Sequence, residues 1–223
     1  MDRASIGADR RFLLSGVSWA TYEALLADLG DHSPRISYNG GDLEFLSPGG
    51  LHDRFKFRVG RLIVVLTEEL DIPIDGCGSA TLRRAGVEKG LEPDEAFYIR
   101  NEPAVRGKLD MDLEVDPPPD LAVEIDITRS SVDREGIYAA LGVPEIWRYD
   151  GKSLRVFRLG ADGKYEPTAT SPSFPYLPLE EFARFIQPGP GEDQLTWSKR
   201  FRAWIRERVA PLHRAWLAGP GAG

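Results

Sequence analysis

Three acids stand out by type and spacing. Glu124 and Asp126 alternate with Leu121, Val123, Ile125 and Ile127 in the run Asp120–Ile127, the two-residue period of a strand with one apolar and one polar face. At about 3.3 Å per residue the two carboxylates lie about 7 Å apart, within reach of one or two divalent ions. Asp94 follows Glu92-Pro93 and precedes Ala96-Phe97-Tyr98-Ile99; the proline disfavours helix before it and the aromatic, β-branched run reads as strand. Buried carboxylates are hydrogen-bonded, protonated or metal-bound because an unpaired buried charge is costly. From pattern alone a second reading stays open, with Asp94 as a turn residue and Glu124 facing solvent on a one-sided strand.

The elements that must position these acids follow from periodicity. After Thr128, Ser130 and Ser131 offer hydroxyls to cap a helix from about Val132, Gly142 and Pro144 end it, and Ile146–Tyr149 resumes as strand. Upstream, Trp19–Leu29 has helical spacing closed by Gly30, and Asn39-Gly40-Gly41-Asp42 joins Arg35–Tyr38 to Leu43–Ser47 as a hairpin. Phe55, Val59, Leu62, Ile63 and Leu66 form a wide apolar stripe on a long helix over Leu51–Leu70, with His52 in its first turn. A short strand near Thr81–Arg84 and a polar, proline-bearing excursion over 100–119 come next. Asp150-Gly151 turns into a strand over Leu154–Leu159, a weaker strand lies around Tyr165, and Leu179–Ile186 reads as a short helix.

Pro188-Gly189-Pro190-Gly191 reads as a linker, dividing the chain into a domain over 1–187 and a helical tail over 188–223, interrupted near Pro211. The tail carries Lys199, Arg200, Arg202, Arg206, Arg208 and Arg214 against Glu207, with Trp197, Phe201, Trp204 and Ile205 nearby. Such a strip can meet a DNA backbone, or its aromatic face can dock on the domain or a second copy and leave the cations solvated.

Composition excludes several classes. A formal net charge of −7 argues against coating nucleic acid by bulk attraction, while leaving room for a local basic strip. With His32, His52, His213 and the single Cys77, a zinc cluster has too few ligands. No Gly-x-Ser-x-Gly turn supports a serine hydrolase. No apolar run approaches the ~20 residues of a membrane span, and Met1–Gly7 lacks the order of a secretory signal, so the expectation is a cytoplasmic protein.

Glu92-Pro93-Asp94, Asp120-Leu121-Ala122-Val123-Glu124 and Tyr138-Ala139-Ala140-Leu141-Gly142-Val143-Pro144-Glu145-Ile146-Trp147, together with Tyr38-Asn39-Gly40-Gly41-Asp42-Leu43-Glu44, Ser47-Pro48 and His52, resemble the Uma-type restriction endonuclease family of the PD-(D/E)XK nuclease superfamily. The likeness runs from about Trp19 to Ile186. It implies an α/β restriction-endonuclease-like fold, a mixed central sheet with an αβββαβ core flanked by helices, and Mg²⁺- or Mn²⁺-dependent cleavage of DNA by a homodimer. By the same resemblance Asp94 and Glu124 are metal ligands; Asp126 would complete a three-carboxylate cluster suited to a hard cation, or pair with Arg134. Glu44 and His52 border the cleft, although a histidine at a helix start is more commonly a capping or surface residue. The chain departs from the superfamily at the motif lysine: two residues after the acid stands Asp126, and where the family supplies a lysine from the following helix stands Arg134. Arginine stabilises developing phosphorane charge but is a poor base. The alternative is a nucleic-acid-binding or scaffolding module that keeps the fold and lacks turnover.

Overall fold

A computed structural model describes residues 9–30, 34–128 and 130–219; Met1–Gly7, His32 and the last residues of the Gly-Pro-Gly-Ala-Gly end lie outside them. The strand β8 (Leu121–Ile125) is the axis of the molecule. It pairs antiparallel with β7 (Glu95–Tyr98) and parallel with β9 (Glu145–Tyr149). A parallel pair needs a crossover, which α4 (Arg134–Leu141) supplies.

Two sheets form, one antiparallel and the other the mixed central sheet expected. The first is antiparallel, in the order β1 (Arg10–Leu14), β3 (Asp42–Ser47), β2 (Arg35–Asn39), β6 (Lys89–Leu91), β5 (Leu82–Arg84). The second is mixed and runs β11 (Tyr165–Thr168), β10 (Leu154–Leu159), β9, β8, β7, β4 (Asp75–Gly76). The hairpin expected at Asn39–Asp42 forms, but it recruits β1, β5 and β6 into its own sheet. With α2 (Gly50–Glu69), the succession α2, β4, β7, β8, α4, β9 is an αβββαβ core, with β5 and β6 as an insertion.

The apolar stripe of α2 lies on the Leu121, Val123 and Ile125 face of β8, while Ala122 faces the cluster built by Ile137, Tyr138 and Leu141 of α4. Both faces of β8 are therefore covered, and all five of its residues are buried. The alternative of a one-sided strand is thereby overturned, and the strand ends at Ile125 instead of Ile127. The helix after it starts later than Val132, because Asp133 is the cap, accepting from the Gly136 amide at 2.9 Å; the Ser130 and Ser131 groups serve Glu44 instead. Gly142 ends α4 at φ 82°, a left-handed turn that favours glycine.

The hairpin sheet is covered by α1 (Trp19–Leu29), whose Tyr22 stacks on Tyr38 with ring centroids 5.0 Å apart. The excursion over 100–119 holds one helical turn, α3 (Glu102–Val105), and α5 (Leu179–Arg184) follows β11. The C-terminal segment forms α6 (Gln194–Trp204), a wide turn at Ile205–Val209 and α7 (Ala210–Leu217). Trp197, Phe201, Ile205 and Val209 join the cluster beneath α2. Four of its cations are ion-paired: Arg202 meets Glu68 and Glu69, Arg206 meets Glu69, Arg200 meets Glu192 and Arg208 meets Glu181, with Arg206 and Arg208 still more than half exposed. Because the Phe201 ring is fully buried against Phe182 and Phe185, Phe201→Ala is expected to cost about 3–5 kcal/mol. That cost is read as a lower urea midpoint at unchanged slope.

Candidate active site

Asp94 and Glu124 are brought together by strand register. Glu95 pairs with Val123, so one step further sets Asp94 opposite Glu124 at the end of β7. Pro93 offers no amide there, and the Asp94 carboxylate accepts from the backbone instead, Oδ2 taking the Ile125 N–H at 2.6 Å. Its Oδ1 contacts the Arg35 guanidinium and stands 2.7 Å from His52 Nε2. Asp94 is 2% exposed and His52 1%. The surface reading of His52 is thereby overturned: the first turn of α2 carries the ring inward, where Nδ1 reaches Asp9 Oδ2 at 3.2 Å. Burial pulls the His52 pKa below its ordinary value, opposed by Asp9.

Glu124 is 7% exposed, so it does not face solvent. Its Oε1 accepts from Arg134 Nη2 at 2.5 Å and from the Tyr138 hydroxyl. Arg134 also donates to Ser37 Oγ at 2.6 Å and to the Glu92 carbonyl at 3.0 Å. One planar fork thus ties α4 to β2, to the segment before Asp94 and to β8. Burial opposes the charge of Arg134, but Glu124 and Tyr138 outweigh it and hold its pKa above the ordinary value. Burial first, then Glu124, pushes the Tyr138 phenol well up, so it stays a donor.

Asp126 does not pair with Arg134. It lies past the end of β8, where Oδ2 accepts from Arg148 Nε at 2.5 Å, and Arg148 also meets Glu135. Among the described residues no three His, Cys, Asp or Glu side chains group as a ready metal cage. Glu44 is buried on β3 and binds Arg11 at 2.7 Å, the Ser130 hydroxyl at 2.8 Å and the Ser131 amide at 2.6 Å. It therefore fixes the loop between β8 and α4. A cleft of about 280 Å³ opens here, lined by Glu124, Asp126, Ser130, Arg134, Tyr138 and Arg148. Asp94 sits behind Glu124 and is not among its lining residues.

The donor chemistry fits a hard cation. Both acids supply oxygen, and among the described residues Glu124 Oε2 has no hydrogen-bond partner. The charge balance opposes the ion, because Arg35 and Arg134 already neutralise the pair.

Arg35, Asp9, Ser37 and Glu92 were not singled out from the sequence. Glu92 lies among Arg35, Arg134 and Thr81, and burial pushes its carboxyl up to about 6 despite those cations. A carboxyl raised in the fold stabilises it below the unfolded pKa, and that contribution is lost as pH rises through about 6. Glu92→Gln is therefore expected to gain about 1–2 kcal/mol relative to wild type between about pH 4.5 and 7, read from urea midpoints across that range.

The sequence model of the Uma2 family, described as "Putative restriction endonuclease", matches residues 19–187. No curated protein sequence matches the chain. Among solved structures, the crystal structure of a putative nuclease belonging to DUF820 from Anabaena variabilis ATCC 29413 is similar. It is 14% identical with a TM-score of 0.49, covering 85% of this chain and 99% of that one.

Proposed function

Because this chain belongs to the Uma2 family, which is nuclease-like, we propose that it is a divalent-metal-dependent DNA endonuclease. The observation that carries the reading is the acid pair Asp94 and Glu124, opposed across the β7–β8 register, with Glu124 lining an open cleft. These two residues would hold Mg²⁺ or Mn²⁺. When bound, the ion supplies a lowered pKa for water and offsets charge on the scissile phosphate. The chain's own groups do the rest. His52 and the Ile125 amide fix Asp94, Tyr138 orients Glu124, and Arg134, beside Glu124 on the cleft wall, supplies positive charge in the position where the resemblance expects a lysine. Asp126, held by Arg148, lies on the cleft wall and contributes charge there. A homodimer would present two such clefts to a duplex. No described helix is long and apolar enough to cross a membrane.

A second reading, a nucleic-acid-binding or scaffolding module without turnover, is favoured by the arginines that already occupy both acids. Calorimetry with Mn²⁺ beside plasmid nicking decides between them. The endonuclease reading expects wild-type binding and nicking, both lost in the Asp94→Asn, Glu124→Gln double variant. No binding at millimolar ion and no nicking sinks it and leaves the binding module.

A further inference from the structure

The cations that the sequence offered for DNA contact, those of the C-terminal helices, are largely consumed by ion pairs with Glu68, Glu69, Glu181 and Glu192. A different set is free. Arg54, Arg58 and Arg61 recur at the i, i+4, i+7 spacing of one face of α2, and among the described residues none of them forms an ion pair. Phe57 lies in the same stripe and is 52% exposed. The stripe borders a groove of about 370 Å³ between α2 and the start of α6, where Arg54, Phe57 and Arg58 face Pro188, Gln194 and Trp197. Two acids share this groove, Asp53 and Glu192. Both Glu192 oxygens are taken by Arg200 at 2.8 Å, which leaves Asp53 against two arginines.

The stripe lies on the face of α2 turned away from the acid pair: His52, whose ring touches Asp94, precedes Arg54 by two residues, about 200° around the helix. From Arg54 to Arg61 the helix rises about 10 Å, which sets the three cations in one row along its axis. An exposed aromatic ring between cations is the arrangement on which an unpaired base stacks while its backbone is neutralised on either side. Duplex DNA has no base free to meet Phe57. The geometry points to a single-strand binding track along α2: Arg54, Arg58 and Arg61 hold the phosphates of an unpaired DNA segment, and Phe57 stacks one of its bases. This rests on the reading of the chain as a DNA-acting protein and names the form of DNA it holds.

The test is made in chelator, so that neither metal loading nor cleavage enters. A labelled short poly-dT strand and a duplex of equal length are titrated by fluorescence anisotropy over a series of salt concentrations. Wild type is expected to prefer the single strand. Phe57→Ala should weaken single-strand binding at least about 5-fold with the salt slope unchanged, since stacking releases no counterions. Changing Arg54, Arg58 and Arg61 together to Gln should flatten the slope by about 2, at about 0.7 per phosphate contact. Lys199→Gln with Arg214→Gln, two tail cations with no ion pair among the described residues, should change neither. These positions are exposed or half-buried, and melting curves confirm that each variant is folded. Equal binding of duplex and single strand, indifference to Phe57→Ala, or a larger loss from the tail variant would each overturn the track. The endonuclease reading is untouched by those outcomes, because it stands or falls on metal binding and nicking.

Discussion

Arg134→Ala is expected to lower stability by about 3–5 kcal/mol, read as a fall in urea midpoint, because it strands a buried carboxylate. The Arg134 and Glu124 side chains are 11% and 9% exposed, so neither charge can recover its lost partner from water. The same change removes donors from Ser37 Oγ and the Glu92 carbonyl. Arg134→Ala combined with Glu124→Ala should cost less than the sum of the two single changes, since the double variant leaves no unpaired charge. The pair formed by Arg148 and Asp126 is the internal contrast. Arg148 is about a third exposed at 31%, and an ion pair so open to solvent contributes at most about 1 kcal/mol. A loss below about 1 kcal/mol for Arg134→Ala would mean that water reaches Glu124, against the burial described above.

The elements around the acids were legible where a local signal sets them. The helix α1 spans Trp19–Leu29 and is closed by Gly30 as the spacing predicts, and the Asn-Gly-Gly-Asp turn gives its hairpin, because helix ends and turns are chosen by neighbouring residues. The strand β1 was missed because its Arg-Arg-Phe-Leu-Leu sequence does not alternate, and its pairing with β3 is long-range. The division into two sheets was illegible for a related reason. Each strand's own pattern is satisfied by one sheet or by two, and the choice depends on which edges α1 and α2 cover. The helix cap moved from Ser130 and Ser131 to Asp133 because Glu44, on a strand far away in sequence, claims the earlier residues.

Within the site, residue type identified the acids, and the resemblance gave Arg134 its place. What the sequence could not show was their partners. Arg35 reaches Asp94 from the opening residue of β2 in the other sheet, and nothing in its neighbourhood marks it as different from a surface arginine. His52 was weighted to the surface because helix starts are commonly exposed. Here the first turn of α2 is wedged between Asp9 and Asp94, which inverts that expectation.

Arg35 is also where the largest effect on metal affinity is expected. Burial lowers its pKa, while Glu124 raises it and Arg134 lowers it, so this one guanidinium acts on both acids and on the second arginine. Asp94 and Glu124 carry two negative charges, and Arg35 and Arg134 cancel them before any ion arrives. At an effective dielectric of about 20, a divalent ion about 6 Å from a guanidinium is repelled by about 5 kcal/mol. Swinging the arginine aside relieves part of that repulsion. If about half remains, Arg35→Gln should bind Mn²⁺ about 100-fold more tightly than wild type, a difference of about 2.7 kcal/mol. Glutamine can still donate to Asp94, so the fold is expected to survive the change. Arg134→Lys is the companion measurement, because it keeps the charge and removes the fork that ties Glu124 to Ser37 and the Glu92 carbonyl. Charge neutralisation as the barrier predicts a large gain in affinity for Arg35→Gln and a small one for Arg134→Lys. Should only Arg134→Lys gain, the barrier would be the held orientation of Glu124 and not the charge of the pair. Unchanged affinity in both variants would mean that the arginines yield freely to the ion, and the electrostatic account of this site would fail.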